Sequence, residues 1–154
     1  MSVMNPILKE VEIKNRRASF EFSFIEKFIA GMVLTGTEIK SIRQGKANLS
    51  DSYCVFSNGE LYIRNFHITE YEKEKHFNHA PLRERKLLLK AAELKKLEKK
   101  LQDKGLTIIA TRLFINGKGW AKLEIALAKG KKLFDKREDI KKKDIQREIS
   151  RKIK

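Results

Sequence analysis

His67, His76 and His79, with Asp51 and Glu70, are the side chains best suited to bind a metal ion or to move protons. Their spacing suits neither task. A zinc hydrolase site needs a close histidine pair on one helix, or a clustered ligand set with an open position, and these residues fall on a predicted strand end and in a loop. Loop hydrogen bonding or RNA contact is the better reading. The single cysteine, Cys54, sits in an apolar strand as a buried, inert thiol; alone, it allows no intrachain disulfide and no cysteine-rich zinc site. The sequence carries no phosphate-binding loop, no dinucleotide fingerprint and no Gly-x-Ser-x-Gly elbow. Neither enzymatic chemistry nor a cofactor is expected.

What the sequence holds in excess is positive charge. Thirty-five Lys and Arg against twenty Asp and Glu give a formal net charge of +15 in 154 residues, the balance of a surface that seeks polyanions. Nearly half of it lies in residues 129–154, where twelve Lys and Arg stand against five Asp and Glu, with no glycine after Gly130. Ile140, Ile145, Ile149 and Ile153 recur there every four or five residues, so a helix would gather them into one thin apolar stripe on a charged rod. So narrow a stripe cannot hold the tail firmly, and isolated helices of this length are marginal in water. The tail is therefore expected to be disordered when free and helical on RNA. A membrane surface is the weaker partner, because the stripe lacks the Trp, Phe and Leu of interfacial helices. Phe134 stands between Lys131-Lys132 and Lys136-Arg137. It could stack on a base, at about 1–3 kcal/mol, or anchor the start of the tail.

The elements that must position these groups read as follows. Residues 19–24 alternate Ser-Phe-Glu-Phe-Ser-Phe, which predicts a half-buried strand with Phe20, Phe22 and Phe24 on one side. A second apolar segment over 28–34 contains Gly31, expected at a bend or bulge. Thr35 and Glu38 have the capping-box spacing that opens a helix; Ile39 and Ile42 take its inner face, Lys40 and Arg43 another, and Gly45 its left-handed end. Runs over 53–56 and 61–66 flank Asn58-Gly59, a hairpin turn. A long polar loop follows over 69–85, then a helix over 91–104 with leucines at 94, 97 and 101. Strands over 107–115 and 120–128 flank Asn116-Gly117-Lys118-Gly119. In the latter strand Ala121, Leu123, Ile125 and Leu127 share one face and leave Lys122 and Glu124 on the other. The whole predicts a mainly β fold with flanking helices. Residues 1–130 would form a partly open antiparallel barrel of the oligonucleotide-binding type, and 131–154 a basic tail. No secretory pattern opens the sequence and no apolar run approaches the ~20 residues that span a bilayer, so a cytoplasmic protein is expected.

Five blocks then carry a likeness. Thr35-Gly36-Thr37-Glu38-Ile39-Lys40-Ser41, Gly45-Lys46-Ala47-Asn48-Leu49-Ser50-Asp51-Ser52-Tyr53, Arg85-Lys86-Leu87-Leu88-Leu89, Ala128-Lys129-Gly130-Lys131-Lys132 and Asp135-Lys136-Arg137, in that order, resemble the signature blocks of the SsrA-binding protein (small protein B) family. The likeness runs from about residue 13 to the end. It implies a non-enzymatic RNA-binding protein of trans-translation, the tagging of an unfinished peptide and rescue of its ribosome. The barrel would bind the transfer-RNA-like domain of transfer-messenger RNA, with elongation factor Tu in the delivery complex. The tail would enter the vacant messenger path at the small-subunit decoding centre of a stalled ribosome, and the chain would act as a monomer. By the same resemblance the RNA-binding positions would be Asn15, Glu38, Lys40, Arg43, Lys122, Lys129, Lys131 and Lys132, with Glu38 ranked lower because capping already accounts for it. Phe134, Asp135, Lys136 and Arg137 would face the ribosome. Four positions depart from the family pattern: Ile29 replaces an acidic residue, Lys90 a His or Asn, Phe134 a His or Tyr, and Ile145 an aromatic of some relatives. Stacking survives the change at Phe134, whereas hydrogen bonding does not. A general ribosome-associated RNA-binding barrel is the alternative.

Overall fold

The computed structural model describes residues 11–152. In chain order these form β1 (Glu12–Lys14), α1 (Arg16–Glu21), β2 (Phe22–Met32), α2 (Gly36–Arg43), β3 (Ala47–Asn48), β4 (Tyr53–Ser57), β5 (Glu60–Arg64), β6 (His67–Ile68), β7 (Arg85–Leu88), α3 (Ala91–Lys100), β8 (Leu106–Ile115), β9 (Ala121–Gly130) and α4 (Leu133–Lys152). Seven strands pair antiparallel in the order β1-β8-β4-β5-β7-β2-β9, and β8 also pairs with β9, so the sheet comes round on itself as a nearly closed ring. Its thin link is between β4 and β8, which meet only at Cys54 and Ile108. β3 and β6 make a separate two-stranded pair.

Inward-facing Phe28, Leu61, Ile63, Leu87, Ile108, Leu113, Leu123, Ile125 and Leu127 fill the ring, joined by Ile42 of α2 and Leu97 of α3. A second, smaller cluster lies under α1, where Ala18 meets Ile109, Ala126 and Ala128, with Phe22 and Phe24 packed against it. Phe22 and Phe24 thus serve one cluster and Phe28 and Ala30 the other, although all four have even numbers. A strand manages that only by inserting one residue, and the register of β2 against β9 slips between Phe24 and Glu26. The bulge expected at Gly31 therefore lies six residues earlier than the sequence suggested; Gly31 keeps regular partners in Leu88 and Lys122.

Two further expectations are corrected. The alternation over 19–24 is split: residues up to Glu21 form α1, and only Phe22 and Phe24 are in the strand. The cause is Asn15, whose side-chain Oδ1 accepts the Ala18 N–H at 3.3 Å and caps a helix too short to show a period of its own. The tail expected to be disordered is helical from Leu133 to Lys152. Its isoleucine stripe does not hold it, since Ile140, Ile145 and Ile149 are each about half exposed. Another face does: the Lys136 and Lys143 ammonium groups lie 5.9 and 5.8 Å from the centre of the Phe20 ring on α1, a cation–π arrangement. Just before the helix, the Lys131 N–H bonds the Glu21 carbonyl at 2.8 Å, and its ammonium bonds the Ser19 carbonyl at 2.8 Å and pairs with Asp139.

Candidate nucleic-acid interface

An open cleft of about 590 Å3 lies where the end of β2, the end of β7, α2 and the β8–β9 turn converge. Each wall has a local cause. Three leucines in a row on an extended segment cannot all face inward; Leu87 is buried, so Leu88 must point out, and it is 50% exposed. In the β8–β9 turn the Asn116 side-chain oxygen accepts the N–H groups of Lys118 and Trp120 at 3.1 and 3.0 Å, and Gly119 takes a positive φ of 82°. That turn delivers Trp120, 66% exposed, to the rim. Gly31 keeps the floor low, because a Cβ there would meet Leu88 Cβ at 3.4 Å and Lys122 Nζ at 3.7 Å. Met32, Leu34 and Ile39 complete an apolar surface with an indole at one side and the ammonium groups of Lys118 and Lys122 beside it. Such a surface can stack a base while lysines neutralise the adjoining phosphates.

Helix α2 contributes Ile39 to this cleft and leaves Lys40 and Arg43 exposed. Glu38 does something else. Its carboxylate is fully buried, accepts the Thr35 N–H at 2.8 Å and the Arg83 guanidinium at 2.6 Å, and pairs with Arg85, itself fully buried. Burial alone would raise its pKa, but Arg83, the Thr35 N–H and Arg85 together pull it down to about 2. Arg85 also donates to the carbonyls of Phe66, Ala80 and Pro81. Glu38 and Arg85 thus tie α2 to the 69–84 loop, and the carboxylate presents no surface to a ligand.

The remaining predicted RNA-binding residues fall elsewhere. Asn15 is buried, and its amide donates to the carbonyls of Ala110 at 2.8 Å and Leu49 at 3.2 Å, so its polar atoms are spent on the fold. It lines a second groove, of about 360 Å3, in which Lys14, Arg16, Lys27, Arg112 and Lys143 supply five cations. Glu124 offsets part of that charge by bonding Thr111 at 2.6 Å and Arg112 at 3.3 Å. Lys129 and Lys132 are exposed, whereas Lys131 is engaged by Asp139 and Ser19. Lys136 lies over Phe20 and Arg137 is exposed; the side chains of Phe134 and Asp135 lie outside the described residues. Ile29 is largely exposed on β2, and the Lys90 N–H bonds the Glu93 carboxylate at 3.2 Å at the start of α3.

The histidines do not converge on a ligand set. His79 is buried, with Nδ1 at 2.9 Å from the Thr37 hydroxyl and Nε2 at 2.9 Å from the Ile68 carbonyl. Among the described residues, no group of three or more His, Cys, Asp or Glu is placed to hold a metal ion. Cys54 is buried, and burial pushes its thiol pKa up, away from the reactive thiolate. Among the described residues no helix is long and apolar enough to cross a membrane.

Lys122, singled out by the family resemblance, lies in this cleft; Leu88, Lys118 and Trp120 beside it were not singled out. Two signals were present: the surplus leucine of a three-leucine strand, and the lone tryptophan directly after a glycine-rich turn.

The chain matches the family model described as SmpB protein over residues 12–154. It is 61% identical to the SsrA-binding protein of Cytophaga hutchinsonii over 145 residues, which cover 94% of this chain and 95% of that one. It is 49% identical to the SsrA-binding protein of Moorella thermoacetica, covering 92% of both. Among solved structures, a chain from "tmRNA-SmpB: a journey to the center of the bacterial ribosome" superimposes with a TM-score of 0.69 at 41% identity, covering 84% of this chain and 94% of that one.

Proposed function

The chain belongs to the SmpB family, and from that premise we propose that it is a non-enzymatic partner of transfer-messenger RNA, delivering it to stalled ribosomes for trans-translation. The observation that carries this reading is the cleft of Leu88, Trp120, Lys118 and Lys122, an exposed aromatic and apolar surface between cations on a basic chain. The ring serves as a barrel of the oligonucleotide-binding type that grips the transfer-RNA-like domain. Lys122, Lys40 and Arg43 meet its phosphates, while Asn15 and Glu38 hold α1 and α2 in the shape that presents them. Lys129 and Lys132 extend the basic track towards the tail.

In this reading α4 is the ribosome-facing part, with Phe134, Asp135, Lys136 and Arg137 directed to the decoding centre. The contacts given above hold it on α1 chiefly through charges around one aromatic ring and one carbonyl. Such contacts exchange readily for rRNA phosphates, so Lys131 can leave Asp139 when the helix enters the messenger path. The protein acts in the cytoplasm as a monomer, and elongation factor Tu joins the delivery complex.

Deleting residues 131–154 tests the two-part mechanism. The shortened chain, which also lacks Lys131 and Lys132, is expected still to bind the transfer-RNA-like domain, measured at fixed salt, and to lose tagging on stalled ribosomes. Equal tagging by the shortened chain would refute the division. Indifference to RNA identity would instead mark a general ribosome-associated RNA-binding protein.

A further inference from the structure

The most exposed large apolar side chain among the described residues is Phe77, at 86%, in the 69–84 loop far along the chain from the cleft residues of β8 and β9. A ring so exposed on a slack loop would mean little, but this loop is braced. The Asn78 side chain accepts the Tyr71 N–H at 3.0 Å and donates to the carbonyls of Tyr71 at 2.9 Å and Glu74 at 3.1 Å. The Glu74 N–H bonds the Tyr71 carbonyl at 3.1 Å, and its carboxylate accepts the His76 N–H at 3.0 Å. His79 is buried with both ring nitrogens partnered. Asn78 and His79, directly after Phe77, are thus fixed inward, and the His76 N–H before it is tied to Glu74, so the backbone that carries the exposed ring is braced.

The charges around it are sorted in the same way. Glu72 is taken by Lys46 and Glu74 by backbone N–H groups, while Glu70 stays exposed at the base of the loop. Among the described residues Lys73 and Lys75 form no salt bridge, nor does Lys40, whose ammonium lies 5.4 Å from the centre of the Tyr71 ring. Every residue from 72 to 76, and both Asn78 and His79, is polar, so Phe77 lacks the apolar surroundings in which a protein partner usually buries an aromatic anchor. An exposed ring in a segment whose Lys73 and Lys75 form no salt bridge among the described residues suits a base flanked by phosphates.

Resting on the RNA reading above, we propose that Phe77 stacks on an unpaired base of the bound RNA, a second contact separate from the cleft of Trp120 and Lys122. Phe77→Ala, Phe77→Leu and Phe77→Tyr, each checked for an unchanged melting temperature, are titrated with the isolated transfer-RNA-like domain over a range of salt, with Lys122→Ala alongside. Loss of one stacked base predicts about 5- to 150-fold weaker binding for Ala. Leu falls with it, Tyr stays close to the parent, and the salt slope is unchanged because no phosphate contact is lost. Lys122→Ala should instead flatten that slope by roughly 0.7–0.9. Full affinity in Phe77→Ala while Lys122→Ala weakens binding overturns the stacking contact and leaves the RNA reading standing. Full affinity in both overturns the two together. Binding retained by Leu but lost by Ala points to apolar packing and rejects a stacked base.

Discussion

Strand β9 and helix α4 are neighbours in the chain, separated by two residues, and both mix aliphatic with basic side chains, yet only one buries its aliphatic set. Leu123, Ile125 and Leu127 of β9 are fully buried, whereas Ile140, Ile145 and Ile149 of α4 stand about half exposed. The difference lies in what each meets. β9 is paired on both edges, to β2 and β8, and its inner face closes on the ring's core. Each side chain buried there contributes roughly 1.5–3 kcal/mol. The ion pairs that α4 offers, Lys131–Asp139 partly buried and Lys141–Glu138 exposed, stand at the protein surface, where a pair is worth roughly 0–1 kcal/mol. Apolar pattern alone therefore does not make a core; the partner surface does, and here it separates a ring with a buried core from a helix whose isoleucines stay half exposed.

The largest expected break of that contrast is at Arg85. Arg85→Ala would remove the buried half of the ion pair on Glu38, leaving that carboxylate to Arg83 and the Thr35 N–H, and would take from the Phe66 carbonyl its guanidinium donor. Breaking such a pair costs about 3–5 kcal/mol, read as a shift of the denaturant midpoint. The same shift is expected in the chain lacking residues 131–154, because the ring would then unfold by itself. A shift that depends on the tail would mean that α4 shares the ring's stability.

Acid gives a smaller test of the same brace. The folded pKa of Glu38 is about 2 against an ordinary 4.5, so its charge stabilises the fold fully above about pH 4.5. That contribution, on the order of 3 kcal/mol, drains away as pH falls from 4.5 towards 2. Circular dichroism melts from pH 6 to 2 are expected to fall more steeply for the parent than for Glu38→Gln, which has nothing to titrate. Parallel curves would mean that other carboxylates govern acid unfolding.

These braces mark the limit of what the sequence could tell. The Asn58-Gly59 hairpin, the Thr35–Glu38 helix start and the β8–β9 pair were legible because turn chemistry and period are local. Helix α1 was not: six residues with one buried side chain carry no period, and three alternating phenylalanines spoke for a strand. The buried role of Arg85 was not legible either, because its carboxylate partner lies 47 residues earlier. Of the cleft only Lys122 was singled out beforehand. Alternation put Lys122 on the outer face and the family resemblance marked it for RNA, but Trp120 and Leu88 meet only when β2, β7 and β9 lie side by side.

The smallest effect sharpens the contrast most. Asp139 is held by Lys131, whose ammonium keeps its carboxyl below the ordinary range, and that pair closes the first turns of α4 onto α1. Asp139→Asn removes the charge but leaves the Lys131 bond to the Ser19 carbonyl and the cations over Phe20. Stability of the ring is expected to change by less than about 0.5 kcal/mol, the usual range for a surface substitution. Amide exchange across residues 136–143 should quicken, and trypsin should cut after Arg137 and Lys141 earlier than in the parent. Ile145→Asp, on the exposed face, should leave both rates nearly alone. If Asp139→Asn lowered the melting temperature as a core substitution does, α4 would belong to the rigid body, and its transfer to a ribosome would require the fold itself to open.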